Sequence, residues 1–290
     1  MKGRLRNWIR RTQLGRAALG AAGGYTRHAT SQLAAAISYR VLFSLVPLTA
    51  FVVAVADLVL PDEQRNAVAR WLVSMVPGHA LDPSVEHALT GSRIPSTAAG
   101  VVSLLVLLWT ASAMMGAIRV AFRVIWENDR RRTYVQSKLL DFALVLGVGL
   151  LAVASLGATL LVQVLTQVGH DLSRVIGGTD TEVRALTKVT QVLTSIGLTV
   201  GVLVVIYRTV PPVPPRLRAI WVPALLAAVG FHLSTAVYAL YLSEYGNVTA
   251  VYGPLASVLG FLLVVYVGVK IILLGAELVA AWPDRKTRGD

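Results

Sequence analysis

Arg40, Asp57, Asp141, His232, Lys270 and Glu277 are ionisable side chains that fall inside long apolar stretches of this 290-residue chain. Near the centre of a bilayer such a charge costs about 2.5–3.5 kcal/mol even on the lenient insertion scale, so it persists only where it is hydrated, paired or close to an interface. The chemistry these residues offer is electrostatic. Arg40 and Lys270 would hold an anion, such as a phospholipid or polyprenyl-phosphate headgroup. Glu277 would either line the same polar cavity or neutralise them in a structural ion pair. Tyr39, next to Arg40, and Tyr252 complete the ligand-binding candidates. The remaining positions have plainer readings: Asp141 as a first-turn acid, Asp57 reaching the outer interface or Lys188, and His232 as a neutral hydrogen-bonding core residue.

Other chemistries lack their residues. Cysteine is absent, which excludes disulfides, thiolate zinc sites and a cysteine nucleophile. His28, His79, His87, His170 and His232 are scattered, with no HxHxD-like grouping, whereas a metal-dependent nuclease needs clustered His and carboxylate ligands. No paired-carboxylate or nucleophile–base spacing stands out. No catalytic residue, metal or cofactor is expected, and the protein is not expected to be an enzyme.

The elements that must position these charges are membrane spans. Hydrophobic residues make up 55% of the chain and charged residues 14%, a balance rare in soluble domains. A bilayer core takes about 20 apolar residues per helical span. Candidates lie at Leu33–Leu60, Thr97–Trp126, Leu139–Val168, Ala185–Tyr207, Ala219–Leu242 and Val251–Trp282. The expected fold is an all-α membrane protein, a six-transmembrane-helix bundle. Its first apolar segment is too long for a signal-peptide core and is expected to be retained.

Charge gives the orientation. Residues 1–30 carry Lys2, Arg4, Arg6, Arg10, Arg11, Arg16 and Arg27 without an acid. Arg130, Arg131, Arg132 and Lys138, then Arg208, Arg216 and Arg218, then Arg285, Lys286 and Arg288 follow in alternate connections. The intervening connections are acidic on balance, so the positive-inside rule places both termini in the cytoplasm. Net charge of +12 is then a topology signal and an attraction to anionic headgroups at the cytoplasmic face. Nucleic acid is not an expected partner, because the charges are spread over short segments.

On this topology the first span runs outward, with Arg40 in its inner half and Asp57 near its outer end, about 25 Å apart by helical rise. The sixth runs inward, so Lys270 and Glu277, seven residues apart on one face, also lie in the inner half. With Arg119 or Asp141 they can form one polar layer, although Arg119 and Arg123 also suit snorkelling to headgroups. The layout is a basic N-terminal segment (1–30), a membrane domain (31–282) and a tail (283–290). Within the membrane domain, the extracytoplasmic loop 61–96 reads as two short interfacial helices, one opening at Pro61-Asp62-Glu63 and one at Asp82-Pro83. A stiff proline-rich elbow occupies 208–218. Pro47 is expected to kink the first span, and Gly253-Pro254 suits a sharp start to the sixth. Gly197 and Gly201 form a GxxxG face for close packing, within the bundle or between subunits.

Several blocks carry a resemblance to a known family. The run Ala34-Ala35-Ala36-Ile37-Ser38-Tyr39 through Ser44-Leu45-Val46-Pro47-Leu48 resembles the first span of the YihY/virulence factor BrkB family. So do Trp109-Thr110-Ala111-Ser112-Ala113, Arg123-Val124-Ile125-Trp126, Tyr207-Arg208, Ala250-Val251-Tyr252-Gly253-Pro254-Leu255 and Leu274-Gly275-Ala276-Glu277-Leu278, in family order. The resemblance implies a bacterial inner-membrane protein with six spans. An older label for the family is ribonuclease BN, which the scattered histidines argue against. One departure is that valines stand before Tyr266, where an aromatic is usual.

A transporter or exporter of a lipid or other anionic envelope compound is the first functional reading. A non-transporting scaffold or envelope-integrity and virulence factor is the alternative, and a membrane enzyme ranks third. A homo-oligomer is compatible with each.

Overall fold

The computed structural model describes residues 12–59, 96–128, 180–245 and 255–282, with single positions at 139, 143 and 147. The loop 61–95, most of the third apolar stretch, Asp141, Tyr252, Gly253 and Pro254 lie outside the described residues. Among those described, every regular element is helical: α1 Gln13–Arg27, α2 Thr30–Val59, α3 Ser96–Ile125, α4 Asp180–Thr209, α5 Leu217–Tyr245 and α6 Leu255–Ala280. Helices α2 to α6 match five of the six expected spans to within a few residues, apart from longer offsets at one end of α4 and of α6. Segments of α4, α5 and α6, at Lys188–Thr209, Leu217–Tyr241 and Val258–Ala280, are long and apolar enough to cross a membrane.

Helix α1 is an element that the charge count concealed. Its start is capped by Thr12, whose hydroxyl oxygen accepts the Gly15 amide at 3.1 Å, satisfying one of the otherwise orphaned first-turn donors. Its end is made at Ala29, which adopts φ 49° and redirects the chain into α2. A non-glycine residue there bears a Cβ–carbonyl crowding penalty of about 1–2 kcal/mol.

Two compact units are distinguished. One comprises Met1–Gly23, Ile125–His232 and Gly275–Asp290, the other Gly24–Val124 and Leu233–Leu274. In the first unit, Ala17 of α1, Ala219 at the start of α5 and Trp282 just past α6 form one buried cluster with Leu278 against it. Gly20 belongs to the same junction: a Cβ there would stand 2.9 Å from the Ala281 methyl. Only small residues allow helices to approach so closely.

The elbow between α4 and α5 also lies in this unit. Residues 210–216 leave the helical conformation, as the prolines dictate. The Arg208 guanidinium donates to the Pro215 carbonyl, tying the two ends of the turn together. Pro211 and Pro215 are buried, whereas Pro214 is exposed, so two of the four prolines pack within the chain. A further proline, Pro223, sits fully buried inside α5 and supplies no amide to the Ala219 carbonyl one turn back.

The distribution of side chains is inverted relative to a soluble domain. Many buried positions are small, including Ala34, Ala121, Ala219, Ala224, Ala227, Ala228 and Ala276. Large apolar side chains point outward, as with Trp109 at 74% exposure and Leu240 at 66%. Lipid tails are as apolar as leucine, so a membrane helix gains by presenting leucine to lipid and packing through small residues.

Candidate functional site

In the unit containing Gly24–Val124 and Leu233–Leu274, the charged residue with the most complete geometry is Lys270. Its ammonium lies 5.1 Å from the centroid of the Tyr266 ring and 5.8 Å from that of Tyr25. Both distances fall within cation–π range. Tyr266 precedes Lys270 by four residues on α6, so a single helical face presents both. Tyr25 arrives from α1. Among the described residues no carboxylate pairs with Lys270, and the two phenols are the only groups that act on it electrostatically. Ring faces attract a cation through their quadrupole but carry no net charge, so the two phenols leave the ammonium's charge in place.

Lys270 is half-buried, and it lies at the border between exposed leucines of α6 and buried positions such as Leu273 and Glu277. Leu263, two turns before, and Leu274, one turn after, are both exposed. By the 1.5 Å rise, Lys270 stands about 15 Å along the axis from Ala280 at the C-terminal end of α6, well inside an apolar segment.

The other sequence-derived candidates are distributed differently. Arg40 is exposed on α2. Tyr39 is 60% exposed and packs on Phe43, with ring centroids 4.6 Å apart and an interplanar angle of 50°. Ser38, buried one turn past Ala34, returns its hydroxyl to the Ala34 carbonyl at 2.7 Å. The helical backbone of α2 continues past Pro47 to Val59, and Ser44 donates to the Val41 carbonyl at 2.7 Å. Tyr252, Gly253 and Pro254 are outside the described residues.

Glu277 belongs to the other unit and is 2% exposed. Two residues earlier, Gly275 forms the tightest helix contact there. A Cβ on Gly275 would run into the Tyr207 hydroxyl, and would stand 2.9 Å from the Ala227 methyl and 3.1 Å from Tyr207 Cζ. Tyr207 is fully buried. Helices α4, α5 and α6 therefore meet at one glycine.

His232 makes a polar contact between α4 and α5. The Thr199 hydroxyl donates to the Ser195 carbonyl at 2.9 Å, and its oxygen lies 3.1 Å from His232 Nε2. A hydroxyl has one proton, so Nε2 must be the donor in the second bond. The Phe231 ring lies edge-on to the imidazole, 6.0 Å between centroids.

Among the described residues, no three His, Asp or Glu side chains converge as metal ligands. Among the described residues, no atom of a neighbouring element lies within 4 Å of a Cβ built at Gly197 or Gly201 on α4. The sequence did not single out Tyr25 or Thr199, and Tyr207 entered only through the Tyr207-Arg208 block of the family resemblance. Tyr266 was legible as the i−4 neighbour of Lys270, whereas Tyr25 is brought in only by long-range packing.

Comparison with known proteins agrees with this membrane architecture. A UPF0761 membrane protein from Chromohalobacter salexigens is 31% identical over 92% of this chain and 62% of its own length. A UPF0761 membrane protein from Methylibium petroleiphilum is 28% identical over 87% of this chain and 58% of its own. The chain thus spans about three-fifths of the length of these relatives. A Bacillus subtilis protein, YfkH, named as ribonuclease-like, is 23% identical over 92% of this chain and 94% of its own. No solved structure matches. The Virulence factor BrkB family matches residues 21–290, and the chain is an integral membrane protein belonging to that family.

Proposed function

We propose that this protein transports or exports a lipid or other anionic amphiphile of the bacterial envelope, working in the inner membrane with six spans and both termini cytoplasmic. The observation that carries the reading is Lys270: a positive charge without a carboxylate partner among the described residues, placed at the border of the exposed leucines of α6. A charge held there at an insertion cost of about 2.5–3.5 kcal/mol has a functional role as its default interpretation.

Parity supports the topology. Ala17 of α1, Ala219 at the start of α5 and Trp282 after α6 share one cluster, which agrees with an even number of crossings. Five long helices are described, and the apolar stretch Leu139–Val168 supplies a sixth. The basic N-terminal segment and tail then face anionic headgroups, and the Gly197–Gly201 face is compatible with a homo-oligomer. No nucleic-acid, metal or cofactor chemistry enters this reading, and the ribonuclease-like description remains that of YfkH alone.

A scaffold or envelope-integrity role is the second reading. Glu277, 2% exposed beside the Tyr207–Gly275 contact, favours it, since a buried carboxylate in tight packing suits structure as well as transport.

The deciding experiment is leaflet exchange of a fluorescent anionic lipid in proteoliposomes. Acceleration by wild type, abolished by Lys270→Ala or Arg40→Ala in protein that still accumulates, is the expected result. No acceleration by well-folded wild type would move the assignment to the scaffold.

A further inference from the structure

We infer that Lys270, Tyr25 and Tyr266 form a seat for a headgroup bearing a single negative charge, specifically the phosphodiester of a glycerophospholipid. This deepens the transport reading by naming the ligand class, but the seat would stand even if nothing were moved.

The charge count selects the ligand. The site holds one cation with no charged partner among the described residues. Where the surroundings are apolar, net charge is costly and the favoured occupant is the one that brings the sum to zero. A phosphodiester carries one negative charge. A phosphomonoester, with about −1.5 to −2 at neutral pH, would leave the seat negative, and a net-neutral headgroup would leave it positive. Polyprenyl phosphate, a monoester, is disfavoured on this count.

Hydrogen bonding distinguishes the diester from a carboxylate. The ammonium offers up to three donors and each phenol one. The two free oxygens of a phosphodiester, set apart by a tetrahedral centre and joined by two ester oxygens, can take donors arriving from both α1 and α6. A carboxylate presents only its two coplanar oxygens.

The route of arrival follows from the same face. Leu263 and Leu274 flank Lys270 on α6 and are exposed, so acyl chains can lie along the helix while the headgroup reaches the ammonium. Tyr25 gives α1 a part in the seat. It holds the ammonium in the absence of ligand by a cation–π contact of about 0.5–2 kcal/mol, weaker than a charge-assisted bond to phosphate. An arriving headgroup can therefore displace the ring without breaking an ion pair.

The test uses the full-length protein, delipidated in detergent and titrated with four dioleoyl or oleoyl probes: phosphatidylglycerol, phosphatidic acid, oleate and phosphatidylcholine. Bound lipid is counted by native mass spectrometry. Phosphatidylglycerol should be retained at least tenfold better than the other three. Lys270→Gln should remove that preference, Lys270→Arg should keep it, and Tyr25→Phe should weaken it while leaving the lysine in place. Equal retention of all probes by wild type would overturn the seat, as would a preference for phosphatidic acid or oleate. Because the wild-type competition decides the matter, poor folding of a variant cannot obscure it. Selective binding of phosphatidylglycerol without leaflet exchange in proteoliposomes would uphold the seat and refute the transporter.

Discussion

The Tyr207 hydroxyl occupies the space where a side chain on Gly275 would begin, so α4 and α6 approach at this level only because residue 275 has no Cβ. The pair joins two of the sequence blocks by which the family is recognised. Each block is short, and their spatial meeting gives both a physical reason.

Gly275→Ala should lower stability by about 1–3 kcal/mol, the usual range for overpacking. Thermal unfolding in detergent measures this. In a double-mutant cycle with Tyr207→Phe the losses should be less than additive, because the second change removes the obstructing oxygen. Gly197→Ala and Gly201→Ala, which meet nothing within 4 Å, should be neutral or stabilising by up to about 1 kcal/mol from helix propensity. Equal losses at all three glycines would contradict the contact.

Tyr238 offers the opposite sign. Its hydroxyl is buried without a hydrogen-bond partner among the described residues and lies against Gly260, from whose built Cβ the Tyr238 Cζ is 3.7 Å. Tyr238→Phe should be neutral or stabilising by about 1 kcal/mol, since an unsatisfied polar atom is removed. The same substitution should make Gly260→Ala tolerable, read as recovery of the thermal midpoint.

At His232 the prediction concerns a proton position. Nitrogen-15 NMR of selectively labelled protein should show Nε2 carrying hydrogen, as the single Thr199 proton requires. Thr199→Val should cost about 0.6–1.7 kcal/mol, the range measured for interhelical bonds in membranes. A bare Nε2 on His232 would mean that the Thr199 hydroxyl donates to the ring instead.

Topology can be read chemically because the chain has no cysteine, so an introduced thiol reports without background. A membrane-impermeant maleimide added to intact cells should label Gly91→Cys and leave Val213→Cys and Gly289→Cys unlabelled until the membrane is opened. Labelling of residues 213 and 91 from the same side would break the six-span assignment.

The spans were legible because twenty or more apolar residues can satisfy their backbone in lipid only as helix, and their ends follow from where polarity returns. Leu33–Leu60 in sequence became Thr30–Val59 in structure on this ground. Helix α1 was hidden because its buried positions, Ala17 and Ala21, are too small to give a strong apolar stripe amid basic neighbours. Lys270 was marked by its charge in an apolar run. The second aromatic wall, Tyr25, lies about 245 residues away and belongs to another helix, so no local period could reveal it. Nor does sequence state that Arg40 is exposed while Glu277 is buried. That distinction arises from the packing of whole helices.

The junction of Ala17 and Gly20 with Ala219, Ala281 and Trp282 also orders events during synthesis. Helix α1 emerges from the ribosome before α2 to α6, but its seat is completed by Ala281 and Trp282, which are translated after α6. It must therefore wait, undocked, while the intervening spans are inserted, because such distant contacts close late. Its few small apolar positions and basic surroundings suit that interval, since they leave little to aggregate. Docking of α1 therefore waits on α6, and a chain stalled before α6 cannot complete it.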